Sequence, residues 1–126
     1  MTVYLDVDDL VAIATVVLKA PPAVRDYGLL ASAAARPGTV VFGHEAYPDL
    51  WEKAASLFHS VNANHALIDG NKRLAWSATA VFLGLNGVPV PRIDVDEAEA
   101  FVMAVSTGQL AEVPEIARRL RAVYRR

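Results

Sequence analysis

The sequence predicts an all-α fold, a compact arrangement of six helices around one that is buried. Three observations carry this. Apolar residues make up 54% of the 126-residue chain while aromatics reach only 8%, and the abundance of alanine and valine suits close-packed helices. Apolar positions recur at the 3–4 spacing of helices, in segments that open at capping residues and close at proline or glycine. From Leu74 to Leu85 nearly every residue is apolar or small, and only Ser77 and Thr79 bring polar side-chain groups. A helix apolar on almost all sides has to be wrapped by the others, which places this one at the centre. Thr39-Val40-Val41-Phe42 is β-prone and too short for a helix. It reads as an extended flap ending at Gly43, and no other segment suggests a strand pair.

Taken in order, Thr2-Val3-Tyr4-Leu5 is an extended lead. Asp6 caps a first helix whose stripe is Val7, Leu10, Val11, Ala14, Val17 and Leu18, and Pro21-Pro22 ends it. A second helix of small residues runs from about Tyr27 to Ala35 and stops before Pro37-Gly38. Asp49-Leu50-Trp51-Glu52 has the pattern of a capping box. The third helix it opens buries Leu50, Ala54, Leu57, Phe58 and Val61 and delivers His65 at its C-terminal end. A seven-residue loop then leads into the apolar helix, which Asn86-Gly87 stops. Asp94 with Glu97 is a second capping box, and Val95, Ala98, Phe101, Val102 and Val105 face inward up to Thr107-Gly108. The last helix starts with Pro114 at N1 and buries Ile116, Ala117, Leu120 and Tyr124.

The length fits a single domain spanning residues 1–126. A net charge of −2 gives no global electrostatic reason to expect nucleic acid or an anionic membrane as partner. The absence of cysteine excludes disulfides and thiolate metal sites. Asp6, Asp8 and Asp9 near a start without Lys or Arg do not fit a secretory signal, and no apolar run reaches transmembrane length. The expected location is the cytoplasm. The basic tail Arg118, Arg119, Arg121, Arg125 and Arg126 complements the dipole of a helix C-terminus and needs no nucleic acid to explain it. His44 and His59 read as surface or packing residues.

The loop before the apolar helix is where a local rule is broken. Asp69-Gly70 is a turn signal, Asn71 is suited to cap the helix, and the first turn then carries Lys72 and Arg73. Cations there oppose the macrodipole by roughly 0.3–1 kcal/mol each. Open backbone N–H groups at the same end attract an anion, and two cations add to that attraction. Each residue has a use in phosphoryl chemistry. His65 can take a proton from a hydroxyl near neutral pH. Asp69 is a hard oxygen ligand suited to Mg²⁺. Gly70 lets backbone approach an anion, and Asn71, Lys72 and Arg73 offer amide, ammonium and guanidinium donors to phosphates.

The segment His65-x-Leu67-x-Asp69-Gly70-Asn71-Lys72-Arg73 resembles the signature of the Fic/Doc family, His-x-Phe-x-Asp/Asn-x-Asn-Gly/Lys-Arg. Lysine at position 72, where Fic adenylyltransferases carry glycine, is similar to the Doc branch, the death-on-curing toxins. The likeness extends to Arg25-Asp26-Tyr27-Gly28-Leu29-Leu30, Tyr47-Pro48-Asp49-Leu50, Leu83-x-x-Asn86-Gly87 and Ser106-Thr107-Gly108. Leu67 departs from the motif's Phe, at what reads as a core anchor for the loop. The resemblance implies the six-helix Fic/Doc core, with His65 as base, Asp69 at Mg²⁺, and Gly70, Asn71, Lys72 and Arg73 around the phosphates of ATP. It further implies a toxin of a toxin–antitoxin system that transfers the γ-phosphoryl of ATP to a threonine of elongation factor Tu and arrests translation. The alternatives are Fic-type AMP transfer and a catalytically idle binding module. Such toxins are held by a small Phd-like antitoxin. No Ser/Thr-x-x-x-Glu-Gly/Asn inhibitory motif stands in this chain, so inhibition is expected in trans, on a groove formed by Ala31, Ala33, Ala34, Ala35 and the flap.

Overall fold

The computed structural model describes residues 1–125; Arg126, the last of the basic tail, lies outside them. Six α-helices make up the fold among these residues: α1 (Val7–Leu18), α2 (Tyr27–Ala35), α3 (Leu50–Asn64), α4 (Asn71–Leu85), α5 (Val95–Ser106) and α6 (Val113–Tyr124). The all-α expectation holds, and helix boundaries fall close to where capping and breaking residues put them. Asp6 accepts from the Asp9 N–H at 2.8 Å while Asp9 accepts from the Asp6 N–H at 2.9 Å, a complete reciprocal box at the start of α1. Asp26 and Asp94 cap α2 and α5 through the N–H groups of Leu29 and Glu97. Asp49 is the exception: it occupies the N-cap of α3 without a side-chain hydrogen bond, so the box expected there does not form. In α6, Val113 takes the first helical position and moves Pro114 to the second.

The flap is more than an extended segment. Val40–Val41 (β1) pairs antiparallel with His44–Glu45 (β2), with Val41 opposite His44. Phe42 and Gly43 between them both have positive φ, +50° and +79°, the twist that a tight two-residue hairpin turn needs. Two residues per strand carry too little pattern to be read as a pair from sequence. The hairpin is moored by Lys53, a buried α3 residue whose Nζ donates to Glu45 Oε1 at 2.7 Å and to the Tyr47 carbonyl at 2.6 Å.

The most enclosed helix is α3 rather than α4. Every residue from Lys53 to Asn62 except His59 is buried, and α3 packs against α2, α4, α5, α6 and the 3-10 turn Arg36–Gly38. α4 buries Leu74, Ala75, Ala78, Thr79, Phe82 and Leu83 against α1, α3 and α5, but leaves Val81 and Leu85 to solvent. The reason is chemical. The buried polar residues of α3 all find partners. Ser56 Oγ donates to the Lys53 carbonyl at 2.7 Å and Asn62 Nδ2 to the Phe58 carbonyl at 3.1 Å within the helix, while Lys53 is met from the hairpin side and Ser60 by Arg36. Satisfied in this way, they can be buried at little cost. Phe58 stacks on Phe101 at 4.9 Å between ring centroids and ties α3 to α5.

Candidate active site

α3 ends at His65, whose backbone turns into the left-handed region at φ +49°. The chain leaves the helix there and immediately buries Ala66 and Leu67, at 3% and 2% exposure. Leu67 forms a single antiparallel bridge with Val24 in the α1–α2 connector. The leucine therefore anchors the loop in the core, as expected of that position, although it replaces the motif's aromatic.

Asn71 does something other than cap. Its Oδ1 accepts from the Leu67 N–H at 3.0 Å and its Nδ2 donates to the Leu67 carbonyl at 2.9 Å. The side chain thus closes the loop on itself, and the N-cap position falls to Gly70, which has no side chain to offer. Gly70 sits at φ +92°, and a Cβ there would lie 2.7 Å from Leu18 Cδ2. Only glycine fits both the conformation and the space. Its N–H donates to Asp69 Oδ1 at 2.9 Å, so the aspartate stabilises the turn with one oxygen and keeps the other. The first intrahelical bond runs from the Leu74 N–H to the Gly70 carbonyl at 2.9 Å, and no side chain caps the helix start. Open backbone donors and the exposed Lys72 and Arg73 consequently point at one spot.

All six residues singled out from the sequence, His65, Asp69, Gly70, Asn71, Lys72 and Arg73, line one cavity of about 320 Å³. Asn62, Ile68 and Ser106 complete it. Ser106 Oγ lies 3.1 Å from Asn62 Oδ1 and 2.7 Å from the Val102 carbonyl, bringing the end of α5 against the site. Nothing in the local pattern marks Asn62. Ser106 belongs to the stretch Ser106-Thr107-Gly108 that resembles the family, a likeness that carried no role with it. Lys72 and Arg73 also line a second, apolar groove of about 690 Å³ walled by Trp76, Val90, Ile93 and Val102.

The other two histidines stand apart. His44 is exposed on β2. His59 is half-buried, and its Nδ1 lies 2.8 Å from Arg36 Nη1. A guanidinium only donates, so Nδ1 accepts and the ring is neutral. Burial holds this imidazole below its ordinary pKa, and the Arg36 charge adds to the effect. Arg36 also donates to Tyr47 Oη and Ser60 Oγ, which makes His59 part of a packed polar network.

Residues 4–83, more than half of the chain, match the model of the Fic/DOC family. Over 108 residues the sequence is 49% identical to a protein of Mycolicibacterium smegmatis named Toxin Doc, an alignment covering 85% of this chain and 83% of the relative. The matched family segment contains the whole loop from His65 to Arg73 and α4 as far as Leu83. The chain belongs to the Fic/DOC family.

Proposed function

We propose that this protein is a Doc-type toxin that transfers the γ-phosphoryl of ATP to a threonine hydroxyl of a translation factor such as elongation factor Tu. The observation that carries the reading is the uncapped start of α4, with Lys72 and Arg73 on it and His65 in the same cavity. This arrangement supplies a base and a charge clamp, the two things phosphoryl transfer asks of a protein. His65 takes the proton of the attacking hydroxyl, whose oxygen bonds to the γ-phosphorus as the bond to the β–γ bridging oxygen breaks and ADP leaves. Lys72, Arg73 and the open N–H groups hold the phosphate oxygens while charge redistributes. The adjoining apolar groove, sharing Lys72 and Arg73, suits a ligand with phosphates at one end and a base at the other.

Asp69 fits a hard divalent cation. One of its oxygens serves the Gly70 turn, and among the described residues no group of three metal-ligating side chains exists. Asp69, with its second oxygen free, is the residue that would hold Mg²⁺ beside the phosphates. When bound, Mg²⁺ neutralises phosphate charge. Asn71 contributes by holding the loop from which Asp69 and Gly70 project.

Lys72 favours phosphoryl over AMP transfer, because its side chain fills the place that glycine leaves open in Fic adenylyltransferases. A toxin named Doc, 49% identical to this chain, supports the toxin reading. Restraint then falls to a small antitoxin acting in trans. Its docking place is the face beside the hairpin, where Val40, Val41 and Phe42 are exposed; Ala33 and Ala34, expected in the same groove, are core residues.

The test is to incubate the purified chain with Mg²⁺, a bacterial extract and ATP labelled at the γ-phosphate or, in parallel, at the α-phosphate, then weigh the labelled protein by mass spectrometry. One added phosphoryl group is expected. His65→Ala abolishes it while leaving the thermal midpoint within a few degrees. An AMP adduct instead overturns the kinase reading, and no adduct at all leaves a binding module.

A further inference from the structure

Arg25 lies 40 positions before His65, yet its side chain ends on the helix terminus that presents the base. Its Nε donates to the His65 carbonyl at 2.9 Å, while Nη2 reaches that carbonyl at 2.6 Å and the Asn64 carbonyl at 3.2 Å. Among the described residues no carboxylate forms an ion pair with this guanidinium, so its charge is spent on the end of α3. The backbone around it follows the same path. The N–H groups of Arg25 and Asp26 both donate to the Ala66 carbonyl, at 2.7 and 3.1 Å, and the Ile68 N–H donates back to the Ala23 carbonyl at 2.9 Å. Residues 23–26 thus lie as a strap across residues 64–68.

The strap meets the chain where it most needs holding. The last carbonyls of a helix have lost their intrahelical partners, and their partial negative charge attracts a cation. Among the described residues His65 is one of three non-glycine residues with positive φ, a conformation that costs an L side chain energy and persists only if its surroundings impose it. The guanidinium is a rigid planar fork, and two donors on adjacent carbonyls fix the orientation of both peptide planes. Those planes set the direction in which the imidazole leaves the backbone. Arg25 itself is absent from the cavity lining, so it is not placed to hold phosphate.

We infer that Arg25 is a positioning residue for His65: its fork on the Asn64 and His65 carbonyls holds the left-handed turn that aims the imidazole into the cavity. The inference rests on His65 being the base of the proposed transfer. Its experiment has two arms so that the two ideas fail separately. In the first, ¹³C/¹⁵N-histidine-labelled wild type, Arg25→Ala and Arg25→Lys are compared by NMR without nucleotide. The backbone resonances of His65 are expected to leave their left-handed values in Arg25→Ala, with His44 and His59 unmoved as internal references. In the second, turnover and ATP affinity are measured on the same proteins. Turnover is expected to drop roughly tenfold to a hundredfold, the cost of misplacing a reacting group by about an ångström, with ATP affinity unchanged.

Arg25→Lys keeps the charge without the fork and is expected to fall between the other two. Its His65 resonances decide the matter if Arg25→Ala does not fold. Unmoved His65 resonances overturn the inference in either variant. ATP affinity falling in step with turnover also overturns it, by making Arg25 a nucleotide ligand. A wild type that transfers nothing sinks the transferase reading, and the NMR arm still decides whether Arg25 sets the His65 turn.

Discussion

Helices α1 and α4 begin in opposite ways. At α1, Asp6 and Asp9 exchange hydrogen bonds with each other's backbone, and Asp8 and Asp9 put negative charge where the dipole is positive. At α4, the cap is a glycine, no side chain reaches the open N–H groups, and Lys72 and Arg73 raise the positive potential further. The first start is complete within its own chain. The second leaves its donors open to water or to an incoming anion. A missing cap alone does not set α4 apart, since α3 and α6 also start without a side-chain cap; what differs is that their first turns carry Glu52 and Glu115 where α4 carries two cations. Asn71, a residue suited to capping, is instead spent on Leu67, which leaves the donors of the helix start open.

The contrast can be broken or sharpened by mutation, and the largest effect is expected at position 72. Lys72→Gly removes a charge that the dipole opposes, so stability should change by no more than ~1 kcal/mol. Phosphoryl transfer should fall roughly 10²-fold or more, as when a donor to a developing charge is lost. Chemical denaturation and a transfer assay on one preparation check both numbers. A fall in stability matching the fall in activity would make position 72 structural and erase the distinction.

Gly70→Ala comes next. The new methyl meets Leu18 and the backbone stays at φ +92°, so a loss of roughly 2 kcal/mol is expected, seen as a lower thermal midpoint. Asp6→Ala should cost about 1 kcal/mol through the lost cap and leave transfer untouched. If this variant loses activity at constant ATP affinity, α1 is not independent of the site.

The smallest effect concerns His59, another polar group satisfied within the chain. Its pKa is held down in the folded state, so folding disfavours its proton. That contribution is intact above the ordinary imidazole value of 6.5 and is lost progressively as pH falls below it, toward the lowered folded pKa. Urea midpoints measured across that range should show the decline in wild type and a shallower one in His59→Gln.

Much of this was legible in the sequence, and the reasons are physical. The starts of α1 and α5 were readable because Asp6 and Asp94 cap through bonds three residues away, a local matter. The six site residues were readable because they fall within nine consecutive positions around one loop. What escaped depends on contacts between distant segments. The burial of Lys53 follows from Glu45 and Tyr47 meeting it across the hairpin. Asn62 and Ser106 enter the cavity only because α5 packs against α3. The centrality of α3 was hidden because its buried serines, lysine and asparagine look like an exposed face until their partners are known.

The strap has a consequence for the order of events during synthesis. Arg25 waits for carbonyls that are made 39 and 40 residues later, and Asn62 waits for Ser106, made 44 residues after it. A ribosome translating this chain has built α1, α2 and the hairpin well before the His65 turn exists, and the far wall of the cavity comes later still. An emerging chain therefore lacks the complete cavity through most of its own translation, and the cavity closes only once α5 has docked.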